Sequence, residues 1–208
     1  MPLLLGCLIG FLGALCSRPL LDRLPAGIPE RVTQPSRITE RAGGPLLGVV
    51  GGAIGGAVAF RVGWHPPLAP SLWLAVLMPP IVIIDVQHRV IPELLTIPGA
   101  TVGYELAVWA EPARAAEFAC AAVVGGAVVT ALVLADPGGM GMGDAKLVLL
   151  LGALLGRGLV VAVVVGGLVL VPSVLLAVVR HGRRGLAATV PLAPFLACGV
   201  VVTLLAPP

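Results

Sequence analysis

Two carboxylates carry most of the chemical interest in this chain. Asp144 follows a glycine-rich stretch, "GGMGMGDAKLVLLLG", and directly precedes an apolar run. Asp85 closes a second apolar run, "PPIVIID". An N-cap role would account for Asp144, because Asp accepts from the free N–H groups that open a helix. Capping does not account for Asp85, which would stand at a helix C-terminus where a negative charge is disfavoured. His88 and Arg89 beside it are possible ion partners. Two acids brought close together can share one proton, since like charges in contact cannot both ionise. The ionised one then activates a water while the protonated one serves as general acid. Such work requires both acids at one depth of one scaffold, so the elements that carry them decide whether it is possible.

Those elements are membrane helices. Of 208 residues, 58% are hydrophobic and 11% are charged, and the mean hydropathy is +1.08. Soluble domains carry about 25% charged residues. A span needs about 17 to 25 apolar residues, and the apolar runs predict spans over 3–17, 44–60, 69–85, 94–110, 115–135, 145–156, 158–179 and 190–206. The fold class is therefore all-α, a polytopic membrane bundle of about eight helices, or seven if the short sixth run is not a span. The prolines Pro79 and Pro80 are expected to kink or break the third helix. No soluble domain is left over: 1–208 reads as one membrane-embedded domain with a short polar loop over 18–43. The N-terminal run lacks a basic start and a small residue before Cys16, so it reads as a retained span.

Basic residues orient the bundle. With eight spans, ten of the 13 Lys and Arg fall on one side, and only Arg61, Arg114 and Arg157 fall on the other. The first side is expected to be cytoplasmic, with both termini outside. Asp85 and Asp144 then lie at the same, cytoplasmic, face. Ser71 and His65 fall on the opposite face, so no Ser–His–acid set forms at matching depth.

The remaining polar residues have simpler readings. Asp22, Glu30 and Glu40 share the 18–43 loop with five arginines as solvated charge. Glu111 and Glu117 lie near the outer end of a helix pair. Glu105 lies within the fourth span, where a carboxylate either serves function or reaches water. Cys7, Cys16, Cys120 and Cys198 form no CxxC pair and read as small buried hydrophobes; no metal and no cofactor is expected. Dispersed arginines make no nucleic-acid patch. Gly141 and Gly143 would let the backbone take positive φ and let a substrate strand lie close. Lys146, the single lysine, would anchor at the interface or orient a substrate.

These residues resemble a known family. "GMGDAKLVLLLGALLG" is similar to the GxGD signature of the prepilin leader peptidases, the membrane aspartic proteases that mature type IV pilin-like precursors. "IIDVQHRVIPELLTIPGATVG" resembles that family's D-x-x-x-x-x-I-P segment around its first catalytic aspartate. "VPLAPFLACGVVVTLL" is similar to its closing helix, and "LIGFLGALCSRPLLDRLP" to its entry helix. The resemblance implies that Asp85 and Asp144 are the catalytic pair, with Gly141 and Gly143 shaping the loop beside Asp144. It further implies a prepilin or pseudopilin precursor as substrate, cut at the cytoplasmic face of a prokaryotic inner membrane after a leader with a basic start and a terminal glycine. Bifunctional members carry two CxxC pairs in the first loop, linked to N-methylation. The 18–43 loop has no cysteine, so methyltransferase activity is not expected. "PLAPF" replaces "PFGPF" in the closing helix, a change expected to affect helix packing more than the aspartates. Two other readings fit the residues: a small transporter or channel-like protein, in which acids at membrane depth line an ion path, and a non-catalytic assembly partner.

Overall fold

From Leu68 to His88 the chain offers apolar side chains with no charge before Asp85, and these 21 residues form one α-helix, α1. At 1.5 Å per residue it is about 31 Å long, enough to cross a bilayer core of about 30 Å. The computed structural model describes residues 52–61, 63, 65, 67–136, 140–181 and 191–206. Further helices follow in antiparallel succession: α2 (Glu93–Ala110), α3 (Ala115–Ala135), α4 (Met142–Leu155), α5 (Gly158–His181) and α6 (Ala193–Leu205). A 3-10 turn, Pro112–Arg114, joins α2 to α3, and residues 52–61 are also helical. Among the described residues there is no strand, so the chain is an all-α membrane bundle. The expected span 3–17 and the loop 18–43 lie outside the described residues, as does the first part of 44–60.

Three helices among the described residues are long and apolar enough to cross a membrane: Leu68–His88, Pro112–Ala135 and Gly158–Leu176. The last of these carries an exposed apolar stripe. Val160, Val164, Leu168, Val171 and Leu175 are all more than half exposed and recur every three or four residues. Such a stripe is unfavourable in water and costs nothing against lipid tails. The double proline does not break α1, which remains α-helical through Pro79 and Pro80. Two carbonyls lose their N–H partners there; earlier in α1 the Trp73 indole N–H donates to the Gly99 carbonyl of α2 at 3.0 Å and ties the two helices together.

α4 is the centre of the bundle. It touches α1, α2, α3 and α5, and Leu147, Leu150 and Leu151 are fully buried in the main core. Small residues permit this. A Cβ on Gly152 would sit 2.6 Å from the backbone of Ala121 in α3, and one on Gly103 would sit 2.7 Å from Leu154. Likewise Gly199 of α6 rests on the backbone of Ala162 in α5. With 14 residues, α4 is only about 21 Å long.

The far end of α4, away from Asp144, is held by Glu117. Its carboxylate accepts from the Arg114 side chain at 2.7 Å and from the Arg157 backbone N–H at 2.9 Å, and it pairs with the Arg157 guanidinium at 3.2 Å. Arg114 also pairs with Glu111 and lies over the Phe118 ring. The α4–α5 turn is thereby tied to the start of α3. Gly156 makes the turn at φ +54, and a Cβ there would sit 2.6 Å from Glu117 Oε1. Removing the carboxylate by Glu117→Ala is expected to cost about 1–3 kcal/mol, read as a lowered melting temperature in detergent. A cavity of about 490 Å³ opens at this same end, lined in part by Arg61, Glu111 and Arg114. The three arginines assigned to the sparse face thus gather at one end of the bundle, opposite the two aspartates.

Candidate active site

Asp85 lies in the last turn of α1. That helix stops because Arg89 takes the left-handed conformation (φ 53, ψ 37), with its N–H donating to the Asp85 carbonyl at 2.8 Å. Ile91 then precedes Pro92, and a residue before proline is pushed out of the helical region. Pro92 itself is extended and serves as N-cap of α2. The spacing from Asp85 to Ile91 and Pro92 is therefore that of a helix end, one reversal and the next helix start.

The Asp85 side chain is buried, with 4% exposure. Its Oδ2 accepts from the backbone N–H of Ala193, the first residue of α6, at 2.8 Å. The N-terminus of a helix carries partial positive charge, so the carboxylate that is disfavoured at its own helix end is favoured at another's. Arg89 adds a positive charge that acts on it. Sequence reasoning missed this contact and assigned the departure at "PLAPF" more to helix packing than to the aspartates. The signal was the proline at the second position of α6: Pro194 has no N–H, and the backbone donors to Asp85 are the residues before it, Ala193 and Leu192.

Asp144 is not the N-cap. α4 begins at Met142, Gly141 is the N-cap, and Asp144 is the third helical residue. A glycine cannot contribute a side chain, so only half of a capping box forms: the Gly141 N–H donates to Asp144 Oδ2 at 3.1 Å. Asp144 is part-buried. Its neighbour Gly143 packs on Ile91 of the connection that follows Asp85, so the two carboxylates sit at one end of the bundle.

The glycines act differently from expectation. Gly141 is extended at φ −94, a conformation open to any residue, and a Cβ there would meet nothing nearer than 3.8 Å. Among the described residues, positive-φ glycines occur only at Gly63 and Gly156. Gly143 is helical, and close approach is its requirement: a Cβ would lie 2.9 Å from Ile91 Cβ. Lys146 forms an ion pair with Glu93 in the first turn of α2, a partner the sequence did not single out. Glu105 is exposed on the outside of α2, apart from both acids. Cys120 and Cys198 are exposed rather than buried, on helix faces turned outward; Cys7 and Cys16 lie outside the described residues. Among the described residues no cluster of three His, Cys, Asp or Glu could hold a metal.

Chemically, this arrangement offers two carboxyl groups in unequal settings, one buried against a helix N-terminus and one part-buried beside a glycine turn. Residues 71–179 match the model of the type IV leader peptidase family, a range that contains both aspartates. Over 63 residues the chain is 36% identical to a prepilin leader peptidase/N-methyltransferase of Myxococcus xanthus (strain DK1622); the stretch is 30% of this chain and 19% of that relative. No solved structure matches the chain.

Proposed function

Because the chain belongs to the type IV leader peptidase family, we propose that it is a membrane aspartic endopeptidase acting on prepilin-like precursors, with Asp85 and Asp144 as the catalytic pair. The observation that carries this reading is the place of these two acids at one end of the bundle, where Gly143 beside Asp144 packs on Ile91 of the connection that follows Asp85. The ionised carboxylate takes a proton from a water, whose oxygen attacks the scissile carbonyl carbon. The protonated carboxyl gives its proton to the carbonyl oxygen, and a tetrahedral diol forms. On collapse the C–N bond breaks, the amine nitrogen receives a proton, and the pair returns to one proton shared between two acids. Burial strengthens the coupling, because charges interact more strongly away from water.

The positive-inside bias supports a cytoplasmic position for this end of the bundle, and the family supports the inner membrane of a prokaryotic cell. The substrate is then a precursor whose basic leader stays on that side and whose apolar segment lies in the bilayer. The relative's name carries a second activity, N-methyltransferase. The 18–43 loop contains no cysteine, which supports a peptidase without that activity. Processing of a synthetic precursor with a basic leader ending in glycine, by membranes carrying the wild type or an Asp→Asn variant, tests the reading.

A further inference from the structure

We infer that Glu93 is a positioning residue for Asp144, acting through Lys146. The inference rests on the reading of Asp85 and Asp144 as the catalytic pair.

Asp144 stands between two contacts that α4 makes with the α1–α2 connection and the start of α2: Gly143 against Ile91 and Lys146 with Glu93. That connection is stiff. It starts four residues after Asp85 with the left-handed Arg89 and ends at Pro92, whose ring fixes φ. A short series of rigid links therefore runs from Asp85 through the connection to Glu93, across the ion pair to Lys146, and back half a turn to Asp144. Without the pair, the first turn of α4 keeps its apolar packing, Gly143 on Ile91 included, and loses its ionic tie to the start of α2. The Lys146 side chain is 28% exposed and that of Glu93 67%, and pairs so exposed contribute only about 0.2–1 kcal/mol to stability. Geometry is the larger stake, since a displacement of about 1 Å at a reacting group can cost about 100-fold in rate.

Purified full-length protein in detergent, assayed on the synthetic precursor, tests this. Glu93→Ala and Lys146→Ala are each expected to lower kcat by about 10- to 100-fold, with KM and melting temperature close to wild type. The exchanged double variant E93K/K146E is expected to recover most of the lost rate, because it restores the pair with its charges reversed. Wild-type kcat in both single variants would overturn the inference. So would a loss confined to KM, which would make Lys146 a substrate contact, or a double variant as slow as the single ones. An active Asp144→Asn control would overturn the catalytic reading and this inference together. An inactive control beside a fully active Glu93→Ala would overturn this inference alone.

Discussion

Asparagine at either Asp85 or Asp144 is expected to lower kcat/KM for precursor cleavage by about 10³- to 10⁴-fold, the scale of losing acid–base catalysis outright. The amide is close in size to the carboxyl and cannot exchange a proton at the reacting atoms. At Asp85 the Asn oxygen can still accept from the Ala193 N–H, so the buried bond at 2.8 Å need not be lost. At Asp144 the same holds for the bond from Gly141. The loss should therefore fall on kcat, with melting temperature near wild type, since the acids act in the transition state and not in holding the substrate. A gel-shift assay of leader removal in membranes reads it. Complete maturation by either variant would sink the assignment. Altered ion flux in liposomes with processing intact would favour the transporter reading instead.

The second large effect is on assembly. Gly152→Val is expected to prevent accumulation of folded protein. A Cβ at 152 would lie 2.6 Å from the carbonyl carbon and oxygen of Ala121 and from the nitrogen of Ala122. These are backbone atoms of α3, and no rotamer change can clear them; only separation of α3 from α4 can. Overpacking a well-filled core costs about 1–3 kcal/mol even when side chains can yield, and here they cannot. Gly167 in α5 is the control. Nothing lies within 4 Å of a Cβ placed there, so Gly167→Ala should be neutral or stabilising by about 0.5–1 kcal/mol, the helix penalty of glycine. Monodisperse yield in detergent and melting temperature distinguish the pair. Equal yields of the two variants would remove the close α3–α4 crossing from the account.

Much of the helical layout was legible because hydropathy is a local property. The run 115–135 coincides with α3, and 158–179 differs from α5 only at its end. The start of α4 was placed three residues late. Met142, Gly143 and Asp144 form a helical turn that is not apolar, and a hydropathy pattern does not see a polar first turn whose N–H groups need no intrahelical partner. The aspartates could be singled out from their setting. Their immediate partners could not, because Ala193 and Glu93 reach Asp85 and Lys146 across 108 and 53 residues, and composition carries no signal of which helix ends meet. Gly143 was expected to allow positive φ and close approach of a substrate strand; it is helical, and what approaches it closely in the structure is Ile91. A glycine needed for positive φ and one needed for close approach look alike in a sequence, and Ile91 is what separates them.

The brevity of α4 bears on how the protein enters the membrane. A segment of 14 residues is shorter than the roughly 17 that an autonomous span requires, and it carries Asp144 and Lys146 in its opening turns. Acidic and basic groups oppose transfer of a lone segment out of the translocon, by about 2.5–3.5 kcal/mol each when placed centrally and less near an end. α3 has neither handicap, being 21 residues long with its one acid in the first turn, and α4 follows it after a short connection. Partitioning of α4 is therefore expected to depend on α3, on whose Ala121 Gly152 is seated. The helix that carries Asp144 should enter as the second arm of an α3–α4 hairpin and fail to insert when α3 is removed from an insertion assay.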